Sequence, residues 1–166
     1  MPSLRILSLR ESPQASAQER GKLFERLVSD VLRHLGYVID GIPSINYSGM
    51  EIDIEGRSIV ADLPLYAECK CYDIPVDSPK FQAFYGKYTS RWRRDKRSLG
   101  IFLVLPRLNS HAKAFYREYC EQDREMTVRL LEEEKVLNAI YESKSAVHPS
   151  AIESQISEDI GTCGDS

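Results

Sequence analysis

The chain has 166 residues, enough for one domain with a buried core or one domain plus a tail, and its hydrophobic (42%) and charged (28%) fractions are ordinary for a soluble globular protein. No apolar run approaches a membrane span, and the opening MPSLRILSLRESPQ has a charge inside its only apolar stretch, unlike a signal peptide, so a cytoplasmic location is expected. The net charge of −3 is unevenly divided: residues 87–97 hold six basic residues and one acid, residues 118–166 hold four basic and twelve acidic residues, and the remainder balances. An acidic protein thus carries one concentrated basic patch, and concentration matters because phosphate contacts are local.

Residues 1–17 are polar and rich in Ser, Gln and Pro after a short apolar start, and read as a flexible N-terminal arm. Residues 18–35 carry Leu23, Phe24, Leu27, Val28, Val31, Leu32 and Leu35 at helical spacing, and Gly36 stops the helix. Glu25 falls at the margin of this apolar face. Tyr37 to Ile42 reads as a short strand, and Asn46 to Gly49 as a loop.

From Met50 to Tyr72 two strands follow. In the first, Glu51, Asp53 and Glu55 alternate with Ile52 and Ile54, so period two separates carboxylates from isoleucines. This strand is expected to end at Glu55, with Gly56-Arg57 at the tip of a turn into a hairpin with Ser58 to Ala61. Pro64 is expected to delay pairing of the second strand, Leu65 to Tyr72. That strand is mostly apolar, with Glu68 and Lys70 on one face and Ala67, Cys69 and Cys71 on the other. Charges on a buried strand are costly unless paired or bound to a metal. If the two strands are neighbours, Asp53, Glu68 and Lys70 meet at one point.

Ser78 as N-cap and Pro79 at the first helical position open a second helix, with Phe81, Phe84, Tyr85 and Tyr88 inward. Its end carries the basic cluster Lys87, Arg91, Arg93, Arg94, Lys96 and Arg97, with Trp92 embedded. Gly100 and Pro106 bound a continuous apolar run, Ile101 to Leu105, the pattern of a buried parallel strand. Ser110 caps a third helix to about Cys120. Met126 to Leu131 is a further strand, and Glu132 to Tyr141 a last helix with acids in its first turn. From residue 143 the composition turns to Ser, Glu, Gly and Thr, with a short helix expected over 151–160. The predicted order α-β-β-β-α-β-α-β-α gives an α/β fold, a mixed sheet with helices on both faces. The four cysteines read as free thiols in a reducing compartment, and the scattered His34, His111 and His148 form no zinc pattern.

Asp53 followed fifteen residues later by Glu68-Cys69-Lys70 resembles the PD-(D/E)xK nuclease superfamily, although Ile52 stands where the motif's Pro would be. Further segments resemble its Mrr-like restriction-endonuclease branch. Gly21 to Glu25 with Leu35-Gly36-Tyr37 resembles the opening helix-to-strand segment, and Glu51-Ile52-Asp53-Ile54 and Ala67-Glu68-Cys69-Lys70 resemble the two strands that carry the site. Phe81 to Gly86 resembles the helix after them, and the segments around Leu103, Ser110, Val128 and Val136 resemble the remaining elements. Coverage is about residues 20–142. Glu51 departs from the family's frequent glycine, and residues 143–166 match no nuclease element.

The resemblance implies a restriction-endonuclease-like nuclease domain over residues 18–142, with 143–166 a linker or the start of a further module. It implies a DNA endonuclease that uses Mg²⁺, with Mn²⁺ able to substitute. Asp53, Glu68 and the backbone carbonyl of Cys69 would hold the metal, Lys70 would orient the attacking water, and Glu25 would bind a second metal or hold a water. Gln82 would support Lys70 or touch the DNA backbone, and the 87–97 cluster would contact phosphates. DNA is the expected partner. A homo-oligomer, and a larger protein with an NTPase or sensor module in a defence system, fit the same picture. Two rivals stand beside it: a nuclease-fold module that binds or oligomerises without cutting, and an unrelated α/β domain in which Glu68 and Lys70 form a structural salt bridge. The intact Asp53, Glu68 and Lys70 argue against the first, and the ordered matches across residues 20–142 against the second. RNA or a branched junction as substrate stays open, because a fold does not fix a substrate.

Overall fold

The computed structural model describes residues 3–7, 12–40 and 52–145. Ser12 and Pro13 start the first helix, α1 (Pro13–His34): the Ser12 hydroxyl accepts from the Ala15 N–H at 3.1 Å, and Pro13 takes the first helical position, where it has no hydrogen bond to lose. The helix therefore begins five residues before the expected 18, inside the stretch read as an arm. Leu4 and Ile6 also pack against the core, and the Leu4 N–H donates to Glu133 at 2.8 Å. Gly36, at φ +90°, turns the chain out of the helix.

Three strands follow: β1 (Tyr37–Asp40), β2 (Ile54–Ser58) and β3 (Pro64–Cys71). Next come α2 (Ser78–Trp92), β4 (Leu99–Leu105), α3 (Ser110–Tyr116) running into a π-type turn (Arg117–Glu121), β5 (Thr127–Leu131) and α4 (Glu133–Ser145). The element order is the expected one. The sheet order is β1-β2-β3-β4-β5, antiparallel through β3 and parallel from β3 to β5. Parallel strands need crossovers, and α2 and α3 supply them.

Both faces of the sheet are covered. In β4, Ile101, Leu103 and Leu105 face α1 and α4, whereas Phe102 and Val104 face α2 and α3. That two-sided burial is why this strand reads as an unbroken apolar run. The apolar line of α1 narrows to Phe24, Val28 and Leu32, while Leu23 and Leu35 remain more than a third exposed.

Several local expectations are corrected. β2 starts at Ile54, with Asp53 in the bend before it, and continues through Gly56 and Arg57 to Ser58. Gly56 is no turn tip: β1 passes so close that a Cβ there would lie 2.6 Å from the Val38 carbonyl oxygen. The turn falls at residues 59–61. Pro64 is the first residue of β3, paired with Arg57, and so does not delay pairing. The caps of α2 and α3 are Asp77 and Asn109, each one residue earlier than expected; the Asn109 side chain accepts from the Ala112 N–H at 2.9 Å. The Asn46–Gly49 loop, Ile42, Glu51, His148, Cys163 and the helix expected over 151–160 lie outside the described residues.

Tyr88 of α2 lies flat against Gly100 at the start of β4, and its hydroxyl donates to the Ser98 carbonyl at 2.8 Å. A Cβ at residue 100 would sit 2.8 Å from the Tyr88 ring. Gly100→Ala is therefore expected to lower unfolding free energy by about 1–3 kcal/mol through overpacking. Urea unfolding checks this, and a variant as stable as wild type would contradict it.

Candidate active site

The β2–β3 ladder ends at the Ile54–Ala67 pair, whereas β3 continues along β4 to Cys71. Beyond Ala67 the outer edge of β3 is open, and its first free amide is answered by a side chain: the Cys69 N–H donates to Asp53 Oδ2 at 2.8 Å. The bend at Asp53, just before β2, delivers that carboxylate to the strand edge. Within a strand the N–H and C=O of one residue point to the same side, so the Cys69 carbonyl faces the same edge.

Lys70 joins the two carboxylates. Its Nζ lies 2.8 Å from Glu68 Oε1 and 3.6 Å from Asp53 Oδ2. Glu68 is 2% exposed, Asp53 19% and Lys70 22%, so the group sits at the mouth of the fold with Glu68 innermost. The meeting of Asp53, Glu68 and Lys70 expected from the alternation is what the structure places here. Burial raises the Asp53 carboxyl above its ordinary value, against the opposing pull of Lys70 and the Cys69 N–H. Burial alone would lower the Lys70 ammonium, but Glu68 and Asp53 outweigh it and leave it raised. Burial holds the Cys69 thiol well above its usual value, so it is a packed, protonated side chain.

A fourth residue completes the cluster. Lys87 of α2 donates to Glu68 Oε2 at 2.9 Å, so each oxygen of this buried carboxylate has its own lysine. One turn on, Arg91 reaches Glu55 of β2 at 3.0 Å and lies over the Tyr66 ring. The basic cluster is therefore divided. Lys87 and Arg91 face the sheet, Arg97 pairs with Asp95, Lys96 lies over Trp92, and Arg93, Arg94, Lys96 and Arg97 are exposed. Sequence reading placed Lys87 among phosphate contacts and missed its bond to Glu68. The signal was its helical position, three residues from Phe84 and one from Tyr88, at the edge of the buried stripe.

Two other expected site residues lie on the helices to either side, Glu25 on α1 and Gln82 on α2. Glu25 is half-buried on α1 and lines a cleft of about 500 Å³ together with Asp53, Lys22, Arg26 and Arg33. Among the described residues no three carboxylate, imidazole or thiol side chains gather into a metal-binding group, and Glu25 is near enough to the site for its charge to help raise the Cys69 thiol. Gln82 is exposed, and its amide donates to Ser78 one turn back at 2.9 Å. Glu68 is answered from α2 by Lys87 instead.

The donor chemistry fits a hard divalent cation. Two carboxylates already converge on one ammonium, beside a strand carbonyl, and Mg²⁺ is typically held by one or two carboxylates with water completing its shell. Among the described residues no helix is long and apolar enough to cross a membrane.

The restriction-endonuclease family model of Mrr type matches residues 17–140. No curated protein matches the chain. Among solved structures, EndoMS in complex with double-stranded DNA is 18% identical, with a TM-score of 0.47 over 80% of this chain and 49% of that one. A repair endonuclease from Pyrococcus abyssi is 15% identical, with a TM-score of 0.46 over 76% and 50%. The MspJI restriction endonuclease bound to a 27-mer oligonucleotide is 18% identical, with a TM-score of 0.49 over 80% and 34%. The chain spans half or less of the length of these three proteins.

The geometry has two consequences for stability. The folded-state pKa of Asp53 lies above its unfolded value, so its ionisation costs stability at neutral pH, and that cost fades as pH falls through the raised value towards 3.8. In chelator, Asp53→Asn should be more stable than wild type at pH 7, with the margin shrinking towards pH 4; a constant margin in urea unfolding would contradict the assignment. Lys70→Met and Lys87→Met should each be tolerated better than their combination, because either lysine can answer Glu68 and loss of both strands a buried charge. A double-mutant cycle should show about 0.5–3 kcal/mol of excess destabilisation.

Proposed function

The chain belongs to the restriction-endonuclease family, and we propose that it is a metal-dependent DNA endonuclease domain, the effector of a restriction or defence protein. The observation that carries this reading is the convergence of Asp53 and Glu68 on Lys70 at the open edge of β3. Glu68 is fully answered by Lys70 and Lys87, yet a second carboxylate, Asp53, is held beside it at an open cleft and is raised by burial, which costs stability and is expected where function demands it.

Asp53, Glu68 and the Cys69 carbonyl would hold Mg²⁺, or Mn²⁺ in its place, and the bound ion supplies Lewis-acid activation and charge relief at the phosphate. The chain's own groups do the rest. Asp53 is fixed at the edge of β3 by the Cys69 N–H, so its free oxygen has a set direction. Lys87 holds Glu68 Oε2, which leaves Oε1 as the oxygen turned towards Asp53 through Lys70. Lys70 is protonated and half-sheltered, and its ammonium orients the attacking water and stabilises the negative charge that grows on the phosphate. Glu25, on the α1 wall of the cleft, orders a second ion or a water. Gln82 takes only a backbone-contact role, since its amide is turned towards Ser78. Arg93, Arg94, Lys96 and Arg97 supply exposed phosphate contacts, while Lys87 and Arg91 act through the carboxylates they hold.

Cleaving both strands of a duplex calls for two sites, so two copies acting together belong to the proposal. So does a larger protein in which this domain is coupled to a sensor or NTPase module in the cytoplasm. One observation favours the rival, a module that binds without cutting: both oxygens of Glu68 are already satisfied by lysines.

Plasmid cleavage separates the two. Wild type with Mg²⁺ or Mn²⁺ should nick or linearise the plasmid, and Lys70→Ala and Asp53→Ala should each cut at least about a hundredfold more slowly, the scale of losing one charge-stabilising donor. Cleavage that survives in both variants would place the chemistry elsewhere. DNA binding without cleavage in the wild type would favour the rival.

A further inference from the structure

The cleft beside Asp53 is walled by α1, which lines it with three bases, two acids (Glu25 and Asp30) and a serine. Lys22, Arg26 and Arg33 line it with Ser29, and the spacing of four, three and four residues sets all four on one stripe of the helix. Lys22 and Arg26 are exposed, and Arg33 is half exposed. The opposite side of α1 carries Phe24, Val28 and Leu32 into the core, so the stripe has one fixed direction.

Arg33 pairs with Asp30 at 2.9 Å, but an exposed pair three residues apart on a helix contributes little, and a phosphate can replace the carboxylate at small cost. Lys22 and Arg26 are like charges four residues apart, an arrangement that by itself works against the helix. The acids of the cleft are Glu25, Asp30 and Asp53: Asp30 is the partner of Arg33, and Asp53 belongs to the candidate metal site. Along α1 the three cations Lys22, Arg26 and Arg33 thus stand against two interleaved acids, Glu25 and Asp30, which leaves the helix wall net positive.

We propose that this stripe is a phosphate-binding track, along which one strand of duplex DNA runs past Asp53. The inference rests on the nuclease reading and adds to it a binding surface separate from residues 93–97. The dimensions suit the task. Eleven residues of α-helix rise about 16 Å from Lys22 to Arg33, and one DNA strand advances about 3.4 Å per phosphate along the duplex axis. The stripe therefore matches about five phosphates, of which three would meet a cation. Ser29 adds a hydroxyl donor between Arg26 and Arg33.

The test is fluorescence anisotropy with a labelled duplex oligonucleotide, Ca²⁺ replacing Mg²⁺, across a series of salt concentrations. The triple variant Lys22→Ala, Arg26→Ala, Arg33→Ala should bind at least about tenfold more weakly, and the slope of log affinity against log salt should fall by about 2–3, close to 0.9 for each phosphate that no longer meets a cation. A charge-keeping variant, Lys22→Arg with Arg26→Lys, should retain both values. Circular dichroism reports whether each variant is folded, and all three substitutions are on a solvent-facing stripe. Wild-type affinity and slope in the folded triple variant would overturn the track. If that happens while wild type still cuts plasmid, the nuclease reading stands and only the track fails. If wild type neither binds nor cuts, the nuclease reading fails and the track falls with it.

Discussion

A carboxylate buried to 2% exposure between two lysines fixes the geometry on which the site depends. Glu68 sits on a strand whose neighbours on both sides of it in the chain are apolar and buried. A lone charge there would cost several kcal/mol, so its partners are requirements of folding as well as of chemistry. One partner, Lys70, comes from the same strand and the same face. The other, Lys87, comes from α2 and ties that helix to the centre of the sheet. α2 therefore has two jobs: Phe81, Phe84 and Tyr88 anchor it in the core, and Lys87 and Arg91 deliver charge to Glu68 and Glu55.

The second constraint is a mismatch in strand length. β2 stops pairing at Ala67 while β3 runs four residues further beside β4. A strand edge with free amides and carbonyls is a liability in a sheet. Here it becomes a receptor for Asp53, because the chain bends just before β2 and presents a carboxylate where a strand would have continued. The same open edge faces the cleft under α1. Fold and site are thus linked at one point: had β2 begun two residues earlier, a backbone pair would occupy the position that Asp53 now fills.

Much of this was legible in the sequence because it is local. Period two in residues 51–55 and 65–72 separates the charged face from the apolar one, and the continuous run Ile101–Leu105 marks the buried parallel strand. The motif of Asp53, Glu68 and Lys70 spans only eighteen positions of the chain. What was hidden depends on tertiary approach. Gly56 looks like a turn residue and is a point where β1 passes too closely for a side chain. Lys87 looks like part of a basic tail and is the second counter-ion of Glu68. Gln82 looks like a site residue from its place after the motif, yet its helical angle turns it outward to Ser78. The helix start at Pro13 is the exception, since Ser12-Pro13 is a recognisable cap signal that the polar composition of residues 1–17 outweighed.

The charge distribution connects fold to substrate. Net charge is −3, yet exposed cations gather on two helices, along α1 beside the candidate site and at the end of α2. Counting basic residues along the chain points only to 87–97, because there they are adjacent. Lys22, Arg26 and Arg33 are spread over twelve positions and are interleaved with Glu25 and Asp30. The helix sorts them in space, gathering at intervals of about 3.6 residues what the sequence disperses. It is the folded arrangement that a polyanion meets, and screening over about 8–10 Å makes the local charge matter more than the total. Two of the six cations in the obvious cluster are committed to sheet carboxylates, which leaves four exposed. A stripe that looks dilute in sequence lines the cleft with three, among acids of which Asp30 already pairs with Arg33, so a phosphate backbone meets there a surface that the linear count of charge does not reveal.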